Sequence, residues 1–158
     1  MKKVLFLMLL FIGAISGKAQ TLADLKGNFM GLCDEGIECY MVLDPTEPSI
    51  EAKGCLTYDS KTHSFVKVSS KPIAIKCYGK FVMRICSTNI VYNILAVEDA
   101  DEFFPPNITI AYEDDTNPDE VLHISIFSED GGKTFQMGLI SDPEDPIFEK
   151  AIIKRYVP

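Results

Sequence analysis

The stretch 121–140, V-L-H-I-S-I-F-S-E-D-G-G-K-T-F-Q-M-G-L-I, decides how the rest of the chain is read. Leu122, Ile124 and Ile126 share one face of its first arm, and Phe135, Met137 and Leu139 share one face of its second. Between the arms lies a turn containing Asp130, Gly131 and Gly132. Period-two alternation on both sides of a Gly-rich turn is the sequence pattern of a β-hairpin. Its physics is local: a carboxylate accepts from turn amides, glycine takes positive φ without steric cost, and an aromatic side chain packs beneath.

The turn spells Ser128-x-Asp130-x-Gly132-x-Thr134-Phe135, which resembles the Asp-box, the hairpin motif repeated in bacterial sialidases. Phe135 stands where that family usually has Trp. The resemblance covers one octet and implies a folding device rather than a catalytic site.

Working outward, the same alternation recurs over 28–33, 37–43, 50–58, 62–69, 72–78, 81–87, 90–97, 107–113 and 151–157. In these runs Phe81, Met83 and Ile85 form one row, Ile90, Tyr92, Ile94 and Ala96 the next, and Ile108, Ile110 and Tyr112 a third. Short turns at Gly36, Asp59-Ser60-Lys61, Gly79-Lys80 and Ser87-Thr88-Asn89 imply antiparallel neighbours in sequence order. The expected fold is all-β, an antiparallel meander closing into a barrel or stacking as a sandwich. One short helical turn precedes it, with Thr21 placed to cap and Asp24 three residues on. Leu22-x-x-Leu25-x-Gly27 also resembles the start of the lipocalin family, although Asn28-Phe29 replaces its usual Trp after the Gly. That resemblance implies a carrier of a small apolar ligand inside a roomy barrel.

Residues 1–19 read as a signal peptide. Lys2 and Lys3 form a basic start, an apolar run follows over 4–15, and Ser16-Gly17-Lys18-Ala19 supplies the small residues of a cleavage site. The run is shorter than the roughly 20 residues of a transmembrane span. The mature part, 20–158, is then expected to be one exported β domain, secreted or periplasmic. Loss of Lys2, Lys3 and Lys18 takes the net charge from −8 to −11. Its distribution is uneven: residues 53–86 hold seven Lys or Arg against the single acid Asp59, whereas 87–132 hold eleven acids and no base. Such a split steers charged partners. The acidic total argues against nucleic acid, whose backbone requires clustered cations.

Export permits disulfides among Cys33, Cys39, Cys55, Cys77 and Cys86. The spacings favour Cys33 with Cys39 and Cys77 with Cys86, leaving Cys55 unpaired; burial as apolar thiols is the alternative. No zinc-ligand spacing is present. Asp99, Asp101, Asp114 and Asp115 offer oxygen ligands for calcium, with a solvated acidic rim as the other reading. Phe103 and Phe104 beside Pro105-Pro106, with Tyr92 and Tyr112, are the candidate ligand contacts. No catalytic residue stands out. His123 belongs to the outer face of its arm, His63 to a turn, and no carboxylate pair is singled out for glycoside hydrolysis. Three functions follow from these features: an exported non-enzymatic module binding an unknown protein or small ligand, a lipocalin-like carrier, and a small hydrolase using acidic loops. No resident cofactor is implied.

Overall fold

The computed structural model describes residues 21–33, 36–102, 105–139 and 151–157. Twelve strands run through them: β1 (Gly27–Cys33), β2 (Glu38–Leu43), β3 (Ile50–Gly54), β4 (Leu56–Asp59), β5 (Ser64–Lys67), β6 (Ile73–Cys77), β7 (Gly79–Ile85), β8 (Thr88–Glu98), β9 (Asn107–Tyr112), β10 (Leu122–Phe127), β11 (Thr134–Leu139) and β12 (Ala151–Arg155). Eight of them close an antiparallel barrel in the order β1-β12-β11-β10-β9-β8-β7-β2. Closure leaves the eight-stranded sheet itself without a free edge, which decides between the barrel and the sandwich. No described helix is long and apolar enough to cross a membrane. The segment 1–19, Phe103, Phe104 and the acidic proline loop 142–146 lie outside the described residues.

The inward rows are those the alternation marks, except at the strand ends, where Ile85 and Tyr112 are exposed. Phe29, Met41, Leu43, Phe81, Ile94, Ile108, Ile110, Ile124, Ile126, Phe135, Met137 and Ile153 are all buried in one cluster. An eight-stranded barrel has room inside for its own side chains or for one small ligand, and here the side chains occupy it. At one end the helical turn Leu22–Leu25 covers the barrel, with Leu25 fully buried and Leu22 packed on the core. The Asp24 carboxylate accepts from the N–H and Oγ1 of Thr21. The Leu22 N–H donates to Asp99 Oδ1 at 3.2 Å, tying the turn to the segment after β8. Arg155 completes this covered end: its guanidinium donates to the carbonyls of Lys26 and Asp24 and lies 5.0 Å from the Phe29 ring centroid.

The 128–135 octet sits at the β10–β11 bend, as its pattern predicts. Asp130 Oδ1 accepts from the N–H groups of Lys133 and Thr134, Oδ2 accepts from Thr134 Oγ1 at 2.6 Å, and Ser128 Oγ accepts from the Gly132 N–H. Gly131 and Gly132 take φ of 73° and 89°. Phe135 is buried edge-on against Phe29, with 5.3 Å between the centroids. The Thr134 hydroxyl, then its amide, hold the Asp130 carboxyl well below the usual carboxylate range.

Three expectations are corrected. Strict sequence-order pairing fails between β2 and β7, which pair directly with Leu43 opposite Gly79. The four intervening strands leave the barrel as a long folded hairpin in which β3 pairs β6 and β4 pairs β5. The run 50–58 breaks at Cys55, because residues 68–72 loop out opposite it and Cys55 O accepts from the Val68 N–H. Second, the row Ile90, Tyr92, Ile94, Ala96 stops at Ile94. A register shift between Ile94 and Ala96 moves the alternation by one residue, so Val97 packs on the inner core while Leu95 turns outward. Leu95 joins Ala52, Leu56, Ile75, Cys77 and Ala111 in a second cluster that seats the hairpin on the barrel wall. The hairpin is fixed further by Asn93 Nδ2, which donates to Lys53 O at 2.7 Å. Third, Cys77 and Cys86 do not meet. They stand at opposite ends of β7, roughly 20 Å or more apart at the rise of a strand. Cys77 is buried, with its Sγ 3.4 Å from Ile50 O and 3.3 Å from Gly79 O and its one S–H shared between them, and Cys86 is exposed.

Candidate functional site

Tyr92 on β8 and Tyr112 on β9 are cross-strand partners, and their rings lie 4.6 Å apart. Tyr92 also approaches Phe81, at 6.0 Å, and is buried, whereas Tyr112 ends its strand and is exposed. Burial, and then the hydrogen bond with Tyr112, push the Tyr92 phenol upward, so it stays protonated at ordinary pH. The pair is an aromatic step with one buried and one exposed member.

Beside Tyr112, where the hairpin meets the barrel wall, the surface forms two adjoining shallow depressions that together make up the outer cleft. One part of it, ≈ 390 Å³, is lined by Glu51, Ala52, Lys53, Ala74, Lys80 and Glu113. The other part, ≈ 430 Å³, adds Pro72, Asn89, Val91, Tyr112 and Asp114 while sharing Lys53 and Glu113. Both parts are open to solvent. Alternation supplies the charges: Glu51 and Lys53 flank inward Ala52 on β3, so they project away from the second core. Lys80 Nζ lies 3.3 Å from Glu113 Oε1, joining the basic and acidic halves of the sequence across the wall. Two buried acceptors nearby in the chain, Asn93 Oδ1 and Asp115 Oδ2, have no hydrogen-bond partner among the described residues.

The four aspartates do not assemble. Asp99 and Asp101 follow β8 at the covered end, whereas Asp114 and Asp115 follow β9 at the far end, with β9 lying between them. Asp99 Oδ1 is occupied by the Leu22 and Ala100 amides, and Asp115 Oδ1 by the Asn117 amide. Among the described residues no group of three His, Cys, Asp or Glu side chains is placed to hold a metal ion. His123 Nδ1 lies 2.9 Å from Thr109 Oγ1, its cross-strand partner, and His63 Nδ1 lies 3.4 Å from Tyr58 OH at a turn. Both contacts are local and structural. Phe103 and Phe104 fall outside the described residues.

Lys53, Lys80 and Glu113 were not singled out by motif. Their signal was the charge split itself, since opposed segments on neighbouring strands must meet somewhere. Comparison of the chain with protein-family models, with curated proteins and with solved structures finds no match.

Proposed function

We propose that this chain is an exported, non-enzymatic binding module that contacts a protein partner through the outer cleft. The observation that carries the reading is the interior: Phe29, Phe81 and Phe135, with Met41 and the isoleucines of β8 to β10, fill the space an internal ligand would need. Shallow, open depressions lie outside instead, where Tyr112 offers an exposed aromatic face and Lys53, Lys80, Glu113 and Asp114 offer both signs of charge. Aromatic anchors with a polar rim are the composition of protein contact surfaces. Export rests on the basic start, apolar run and small-residue site over 1–19.

The closed eight-stranded barrel also keeps the lipocalin-like carrier in view as a second reading, because barrels of this size include ligand carriers. Titration with an apolar fluorescent probe, a conjugated polyene fatty acid, separates the two. The outer-cleft reading expects no saturable uptake. It also expects a photo-cross-linking residue at position 112 to capture a partner in the native exported fraction that one at position 125 does not. Stoichiometric probe uptake, lost on making Ile126→Asp in a variant that still folds, would establish the carrier instead.

A further inference from the structure

Cys33 and Cys39 are the two cysteines the fold brings together. The Cys33 N–H donates to Ile37 O, and Gly31 stands opposite Cys39. The two cysteines are thus diagonal neighbours on the inward face of the β1–β2 hairpin, at the far end of the barrel. Both are buried, at 4% and 1% exposure, in the same cluster. Gly31, opposite Cys39, lets β12 run close: a Cβ there would lie 1.9 Å from the Ile152 carbonyl oxygen, so the pair is packed beneath the β12 backbone. The thiols lie within hydrogen-bonding reach, and this contact, with burial, drives the Cys39 thiol strongly upward. Met83, directly across from Cys39 on β7, adds an apolar wall. No third His, Cys, Asp or Glu among the described residues joins them in a group able to hold a metal.

We propose that Cys33 and Cys39 are a disulfide-forming pair that locks the β1–β2 hairpin at the far end of the barrel. The step is a thiol–disulfide exchange. Each thiol loses its proton and the two sulfurs bond; the two electrons pass to a small-molecule or catalyst disulfide, which leaves as two thiols. Because the folded pair is buried and its thiolates disfavoured, exchange belongs to folding, before β12 closes over β1. The other three cysteines take no part. Cys77 is engaged with two carbonyls, Cys55 is buried at the break between β3 and β4, and Cys86 is exposed at the opposite end of β7 from Cys77. The bond would form in the oxidising compartment proposed above, but its test needs neither export nor a binding partner.

The test uses the 20–158 chain carrying Cys86→Ser, refolded in a buffer of reduced and oxidised glutathione, acid-quenched, denatured and alkylated. Digestion after glutamate cuts at Glu35 and Glu38, between the two cysteines. The expected result is one linked species joining the Cys33 and Cys39 fragments, with Cys55 and Cys77 alkylated. The oxidised form should also have an unfolding constant roughly 50-fold smaller than the reduced form, the effect of closing a short loop. That redox dependence should vanish in Cys33→Ser with Cys39→Ser. Full alkylation of Cys33 and Cys39, or a link that includes Cys55 or Cys77, overturns the proposal.

Discussion

Asp130 is exposed, yet it organises its turn through both carboxylate oxygens. Its carboxyl is held below the ordinary value of 3.8, so on acidification the unfolded chain takes up this proton before the folded one does. The turn's contribution is therefore whole above about pH 5 and is lost progressively as pH falls below that. Asp130→Asn should lower the urea midpoint at neutral pH, and the gap from the parent should narrow steadily between about pH 5 and pH 2. A gap independent of pH would show that charge plays no part in the turn. Asp44, lowered to about 2 chiefly by its hydrogen bond to Lys26, contributes to the same acid limb, so the comparison is made at each pH against the parent protein. This residue-level feature was fully legible, because every partner of Asp130 lies within four positions of it. Arg155 was not. Its contacts with Phe29, Lys26 and Asp24 span most of the chain, and nothing in the local pattern distinguishes it from a solvated strand residue.

The same contrast of range explains the elements. Alternation located the barrel strands because each is half in contact with a core and half with solvent, the condition that produces a period of two. It could not tell one core from another. Leu95, Ala111 and Ala52 alternate correctly but face the second cluster under the hairpin, and the one-residue shift in β8 leaves no composition mark. Strand order was misjudged for a related reason. A short connection does not prove that its flanking strands pair: Tyr78 alone joins β6 to β7, yet β6 pairs β3 while β7 pairs β2 and β8. Leu95 is the place to test this layering. Leu95→Ala should cost about 2–4 kcal/mol, with the loss concentrated in the hairpin. Trypsin cleavage after Lys61 or Lys67 should accelerate, while amide exchange in β10 and β11 stays near the parent rate. Uniform acceleration across all strands would mean that hairpin and barrel unfold as one unit.

At the scale of the whole molecule, the charge division has a structural meaning. The basic segment supplies the hairpin and β7, the acidic one supplies β8 to β10 with their loops, and Lys80–Glu113 joins them along the cleft. The alternation put Tyr92 and Tyr112 on adjacent rows, where their rings do meet, whereas the aspartates, read as one ligand set, are divided between the two ends of β9. Proximity in sequence is a poor guide to proximity in a barrel, where a single strand carries the chain from one end to the other. β1 and β12 seal the barrel around an interior occupied by its own side chains. Cross-strand nuclear Overhauser contacts measure this directly. The expected result is backbone contacts of Met30 with Lys154 and Leu32 with Ile152, together with ring contacts between Phe29 and Phe135. Absence of the β1–β12 contacts, with rapidly exchanging amides along β1, would contradict it.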